Sequence, residues 1–248
     1  MDIKYFQNRA TIRNYTEQNI SQDLLEEIIK EASHAPTCGC MQLYSIIVTR
    51  DKQELEKLVP LHYSQPAAAT ANMILTICAD FNRFTKWCYI NNANPGFDNF
   101  HSFLNAFTDA VILAQQIVTI AEMKGLGSCY LGTVTYNADK ISDLLQLPTL
   151  VVPVVSVSLG YPEGDAKPTP RLPLNAVIHA EKYREDSNCD IKEFFKVREN
   201  DPDNKTYIKE NGKENIAQVF TDVRYPGDTN EKLSEMYLTL LKTKGFLH

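Results

Sequence analysis

The chain of 248 residues is short of several things at once. It has one tryptophan, 10 glycines and 12 prolines, too few for a fibrous repeat or a Pro/Gly-rich low-complexity tract. It has no excess of positive charge: 25 Lys and Arg face 31 Asp and Glu, a net charge of −6. That balance argues against nucleic acid or an anionic membrane surface as partner. It leaves room for one phosphorylated small ligand held by a few local arginines. The start, Met1-Asp2-Ile3-Lys4-Tyr5, lacks a basic stretch followed by an apolar run, so no signal peptide is expected. The longest apolar stretch, 103–123, is broken by Asn105, Asp109, Gln115, Gln116 and Glu122, and is expected not to cross a bilayer.

The usual catalytic signatures are also missing. There is no GxSxG, no HExxH and no GxxxxGK[ST]. The five histidines, His34, His62, His101, His179 and His248, show no metal-ligand spacing, so no metal is expected. No C-x-x-C occurs among Cys38, Cys40, Cys78, Cys88, Cys129 and Cys189. Cys38-Gly39-Cys40 is too tight for ordinary disulfide or zinc-ligand geometry, and reduced thiols in a cytoplasm are expected. Gly125-Leu126-Gly127 misplaces the third glycine of a dinucleotide fingerprint and follows a helix, which makes a Rossmann dehydrogenase a poor fit.

What is present reads as one α+β domain. Ser21 caps a predicted helix over 22–33, with Leu24, Leu25, Ile28, Ile29 and Ala32 as its apolar stripe, ending at His34-Ala35-Pro36. Residues 44–50 read as a buried strand, and Asp51 with Glu54 as the start of a short helix ending before Pro60. Residues 73–79 and 151–159 read as two further strands, Pro153 placing the start of the latter at an edge or bulge. Between them, 103–124 is apolar around nearly the whole helical circumference, which predicts a core helix or one shared with a second subunit, stopped by Gly125. A short helix is predicted over 139–147, capped by Asn137 or Asp139, and another over 230–244. The stretch 182–213 reads as a charged, irregular surface excursion or lid.

Four small stations stand out, each with a plain alternative. Arg9-Ala10-Thr11-Ile12-Arg13 offers two guanidiniums and a hydroxyl to a phosphate, or two solvated arginines. Pro36-Thr37-Cys38-Gly39-Cys40-Met41-Gln42 lets backbone amides approach a ring, or is a helix-to-strand turn. The loop 125–132 allows close approach to something flat, or is a helix stop and turn. Lys167 to Pro173 holds two cations on a proline-stiffened segment, or is an exposed connector. Neither Cys38 nor Cys40 has an evident histidine partner, so a thiol nucleophile is disfavoured.

In this order and spacing the stations resemble the flavin-dependent nitroreductase family, closest to its oxygen-insensitive nitroreductase and NADPH-flavin oxidoreductase branch. The carriers are Arg9-Ala10-Thr11-Ile12-Arg13-Asn14-Tyr15, Ala35-Pro36-Thr37 with Gln42, Cys78 to Arg83, Gly125 to Gly132, and Leu159-Gly160-Tyr161-Pro162 followed by Lys167 and Arg171-Leu172-Pro173. The branch commonly joins its lysine and arginine as Lys-Pro-Arg, whereas here Pro168-Thr169-Pro170 intervenes. The resemblance implies a three-layer α/β/α sandwich with a mixed, mainly antiparallel central sheet in an intertwined homodimer. Its core would be 1–183, and the arm and helix over 184–248 would belong to the same domain.

The resemblance also implies FMN as cofactor and NADPH or NADH as reductant, with small-molecule acceptors such as nitroaromatics, quinones or flavins. Arg9, Ala10, Thr11, Arg13, Lys167 and Arg171 would hold FMN at its phosphate end. Thr37, Cys38, Gly39 and Gln42 would lie along the ring or ribityl chain. Gln65 would reach the pyrimidine edge, and Tyr130, Leu131 and Gly132 would offer backbone contacts. No protein side chain would be catalytic, since flavin carries the redox chemistry, and this accounts for the missing motifs. A relative running another reductive reaction (dehalogenation or flavin breakdown) and a non-catalytic FMN-binding protein are the alternatives.

Overall fold

The computed structural model describes residues 3–248, which fall into two compact units. The larger holds Thr11–Ala166 and Leu233–His248; the smaller holds the residues up to Ala10 and Lys167–Lys232.

The larger unit is built on four strands, β1 Tyr44–Thr49, β2 Met73–Asp80, β3 Gly127–Tyr130 and β4 Val151–Gly160, in the order β1-β2-β4-β3. All three pairings are antiparallel, so the expected mixed sheet has no parallel pair among the described residues. Strand β4 is central. Pro153 sits there because the β2–β4 register slips between Ile77 and Cys78, and a bulge tolerates a residue with no N–H to donate. β2 is buried along its whole length, with Met73, Leu75, Ile77 and Ala79 in one core and Ile74 in another. Burial on both faces is why MILTICAD reads as a continuous apolar run.

In chain order the helices begin with α1 Lys4–Asn8 in the smaller unit, followed in the larger by α2 Gln22–Ala32, α3 Lys52–Leu58, α4 Pro66–Ala69, α5 Asn82–Ile90, α6 Phe100–Met123 and α7 Ala138–Leu144. Ser21 accepts from the Leu24 amide at 3.2 Å and Asp51 from Gln53 and Glu54, so the predicted caps form. Asn137 precedes α7 without capping it, since its amide donates instead to the Leu61 carbonyl at 2.8 Å.

Helices α2 and α6 share the larger core with one face of the sheet, while α3, α4 and α7 share the smaller core with the other. α6 lays Ala106, Ala110, Leu113, Ala114, Ile117, Val118 and Ala121 on the core, the alanines allowing close seating. Each fully buried Leu or Ile there is worth roughly 1.5–3 kcal/mol. The helix is not buried all round in one chain: Phe100, Leu104, Val111 and Ile112 remain exposed. By length and composition it could also cross a membrane, and the core it fills explains its apolarity instead.

The smaller unit corrects the reading of 182–213. It contains α8 Asn188–Asn200, opened by a capping box of Ser187 and Asp190, and α9 Pro202–Glu210, capped by Asp201. α10 Ile216–Val219 follows, and α11 Gly227–Thr243 ends at Gly245, whose φ is +82. From Leu233 onward α11 belongs to the larger unit.

Residues 11–16 are strapped across the β3–β4 edge. The Ile12 amide donates to the Ser128 carbonyl at 3.1 Å, and Thr16 to that of Tyr161 at 2.9 Å. Tyr15 is buried, its hydroxyl 3.0 Å from the Ile12 carbonyl and 2.9 Å from Ser158 Oγ, and burial raises its phenol well above the usual range. Tyr15→Phe should therefore lower the unfolding free energy by about 1–2 kcal/mol, read from urea denaturation, because it strands these groups in the interior.

Candidate active site

The strap fixes Thr11 and Arg13. A Cβ at Gly127 would lie 2.7 Å from the Ile12 side chain, so this glycine is needed for close approach of strand and strap. The glycines of 125–132 predict a loop; residues 127–130 are instead strand β3, and the only left-handed glycine there is Gly125 at φ +86. The signal was weak because a four-residue edge strand carrying glycine has almost no period to read. The Arg13 guanidinium is exposed and makes no hydrogen bond or ion pair among the described residues.

Gln65 comes to the same edge of the sheet. Tyr63 and Ser64, at φ 56 and 48, turn the chain sharply, and Pro66 holds Gln65 extended before α4. The Tyr15 backbone amide donates to Thr70 Oγ1 at 3.3 Å and Asn72 Nδ2 to the Thr16 carbonyl at 3.0 Å, tying this segment to the strap. Beyond β3, the Leu131 amide donates to Ser156 at 2.8 Å, and the chain turns through Gly132 and Thr133. Thr133 Oγ1 lies 2.9 Å from His62 Nδ1 and 3.1 Å from Gln65 Nε2. Neither His62 nor Thr133 was singled out from the sequence, since the residues they join are 68 and 71 positions apart.

Thr37, Cys38, Gly39 and Gln42 form a second cluster, organised by a residue that sequence reading noted only as a break in an apolar run. Asp109 is buried in the middle of α6. One carboxylate oxygen accepts from the Cys38 amide at 2.9 Å; the other accepts from the Thr37 hydroxyl at 2.5 Å and the Leu43 amide at 3.2 Å. Its position in register with Ala106, Ala110 and Leu113 was the available signal, because a carboxylate on a core face must find donors. Gly39, Cys40 and Gln42 all take positive φ, giving a compact turn. Gln42 Nε2 donates to the Tyr44 hydroxyl at 3.1 Å, and Arg83 donates to the Gln42 and Tyr44 carbonyls.

The two clusters do not meet within one chain's sheet. The 37–42 loop leads into β1, the strap and Thr133 turn flank β3, and these are opposite edges, about 14 Å apart at three strand spacings. The remaining predicted residues, Arg9, Ala10, Lys167 and Arg171, lie in the smaller unit. There Lys167 is exposed without a hydrogen bond or ion pair among the described residues, and Arg171 donates to the Thr169 carbonyl at 2.8 Å.

His62 is wholly buried, and desolvation pushes its imidazole down to about 4. The fold therefore holds it neutral. As pH falls below about 6.5 the unfolded chain gains a proton that the folded one refuses, until the folded value near 4 is reached. Stability should drop across that window by up to about 3 kcal/mol, and urea unfolding of the His62→Gln variant should show a flatter slope.

The Nitroreductase family profile matches residues 6–161. An oxygen-insensitive NADPH nitroreductase of Salmonella typhimurium is 33% identical over 182 residues, covering 73% of this chain and 74% of that protein. An NADPH-using FMN reductase of Bacillus subtilis is 28% identical over 244 residues, covering 98% and 92%. A crystal structure from Bacteroides fragilis superposes with a TM-score of 0.97 at 46% identity, over 99% of this chain and all of that one. With the strapped β3 edge, the turn at Gly132 and a profile match over more than half its length, this chain belongs to the nitroreductase family.

Proposed function

We propose that this chain is an FMN-dependent oxidoreductase that takes electrons from NADPH or NADH and passes them to a small oxidised acceptor. The observation that carries this reading is Gly132. Its φ is not left-handed and a Cβ there would meet nothing within 4 Å among the described residues, so the fold gives no reason for glycine. A flat ligand lying against the backbone does. On the strap that bonds to β3 at Ser128 is Arg13, a cation without a counter-charge among the described residues, in contrast to Lys57, Lys124, Lys196 and Lys213, which are all paired. An exposed cation and open backbone suit a ring-bearing phosphate ester.

FMN, when bound, supplies the hydride and electron chemistry, and a nitroaromatic, a quinone or free flavin is the acceptor class, served in alternation with the nucleotide. The protein's part is binding and orientation. Thr11 and Arg13, with Arg9, Ala10, Lys167 and Arg171 by their motifs, hold the phosphate end. Tyr130, Leu131 and Gly132 offer backbone groups to the ring, and Gln65 its amide. Thr37, Cys38, Gly39 and Gln42 line the ring or ribityl chain. The separation of this last loop from the β3 edge, and the exposed stripe of Phe100, Leu104, Val111 and Ile112 on α6, support a homodimer in which a second copy covers that stripe. Six cysteines without a disulfide suit a reducing cytoplasm.

The purified protein should be yellow and should bleach with NADPH or NADH; a protein that binds FMN but bleaches with neither is a flavin-binding module instead. Arg13→Ala and Arg171→Ala should each weaken FMN binding about tenfold to a hundredfold, the worth of one charge-assisted hydrogen bond, in a fluorescence titration of the apoprotein. Gly132→Val should weaken it as well while leaving the urea midpoint unchanged. Unaltered FMN affinity in all three would remove these residues from the site.

A further inference from the structure

We propose that Thr133 is a positioning residue, whose hydroxyl, set between His62 and Gln65, fixes the Gln65 side-chain amide so that its Oε1 is presented as an acceptor to the imide N–H on the pyrimidine edge of FMN. The inference deepens the flavin reading and rests on it.

The argument is one of hydrogen-bond accounting. Gln65 has two donors at Nε2 and one acceptor oxygen at Oε1, and a free glutamine amide rotates between orientations that exchange them. Here Nε2 is engaged by Thr133 Oγ1 at 3.1 Å, while Oε1 makes no hydrogen bond among the described residues. Thr133 Oγ1 has one hydrogen and two acceptor sites. Its other neighbour, His62 Nδ1 at 2.9 Å, holds the hydroxyl from the buried side. His62 is fully buried at the end of a short turn, and its Nε2 has no partner among the described residues. With the Thr133 hydrogen given to the Nδ1 of neutral His62, Oγ1 has only acceptor sites left for Gln65 Nε2; His62 Nε2 and Gln65 Oε1 are then the groups of this chain without partners among the described residues, and Oε1 is its free acceptor oxygen.

The backbone is arranged to deliver that oxygen. Tyr63 and Ser64 are consecutive non-glycine residues in the left-handed region, a costly conformation that persists only where the surroundings impose it. Pro66 then restricts Gln65 to the extended conformation. Gly132, next to Thr133, leaves the adjoining space open. The pyrimidine edge of a flavin carries one N–H between two carbonyls, so an acceptor at this position matches its centre. A freely rotating amide would present donors half of the time.

A double-mutant cycle on FMN affinity, titrated by flavin fluorescence against apoprotein, tests the arrangement. Gln65→Ala should weaken binding about five- to tenfold in the native background. In a Thr133→Val background the same change should cost less than about twofold, because the unfixed amide has already lost its contribution. Thr133→Ser, which keeps the hydroxyl, should restore the native cost. A purely structural role for Thr133 would lower the urea midpoint without this coupling, and Thr133→Ala repeats the test if valine packs poorly. Equal losses from Gln65→Ala in the two backgrounds overturn the relay alone. Failure of the native apoprotein to take up FMN overturns the flavin reading and the relay with it.

Discussion

A single buried carboxylate organises one side of this molecule. Asp109 lies in the middle of α6, on the face that packs into the core, where an ion without partners would be costly. The Thr37 hydroxyl and the Cys38 and Leu43 amides supply those partners, and all three come from the segment that leads from α2 into β1. The core helix thereby fixes a surface loop. The loop's three residues at positive φ, Gly39, Cys40 and Gln42, are held in shape by the same anchor, with Gln42 donating its amide to Thr37 Oγ1 at 2.9 Å. Rigidity at the loop comes from the interior.

The opposite edge of the sheet uses neutral groups for the same purpose. Tyr15 is driven into the interior by its ring and must satisfy its hydroxyl there, which it does on Ile12 and Ser158. The strap so formed carries Thr11 and Arg13 past β3, and Thr133 ties Gln65 to the turn that follows β3. Polar groups that burial forces into partnership therefore place the residues assigned to flavin. No acid–base pair is needed where the cofactor brings the reactivity, and the geometry contains orientation devices instead.

Local signals in the sequence read well wherever the physics was local. Ser21 and Asp51 form the caps their positions predict, Gly245 stops the last helix, and the three longer strands fall within a residue or two of their apolar runs. Residues 182–213 were misread because their helices are polar around the circumference, with Phe194 the only buried residue of α8 and none in α9. Their local signal lies in the capping residues, Ser187 with Asp190 and Asp201. The strand 127–130 was missed for the reverse reason: its pairing with β4 depends on a partner 29 or so positions away, and nothing in four residues announces it.

The sequence by itself determined an α+β chain with buried central strands, a long apolar helix and a set of small cationic and glycine-bearing stations, because periodicity, capping and turn chemistry act over a few residues. It also carried the likeness to the nitroreductases, in stations legible one by one. Tertiary structure decided the rest. Only packing could show that α6, apolar and long enough for a membrane, is a core helix with an uncovered stripe. The roles of Asp109, His62 and Thr133 were likewise decided there, since each depends on a hydrogen bond to a residue 66 to 72 positions away. Such a bond exists only once the sheet has brought the two ends of the chain's separations together, and no local pattern encodes it.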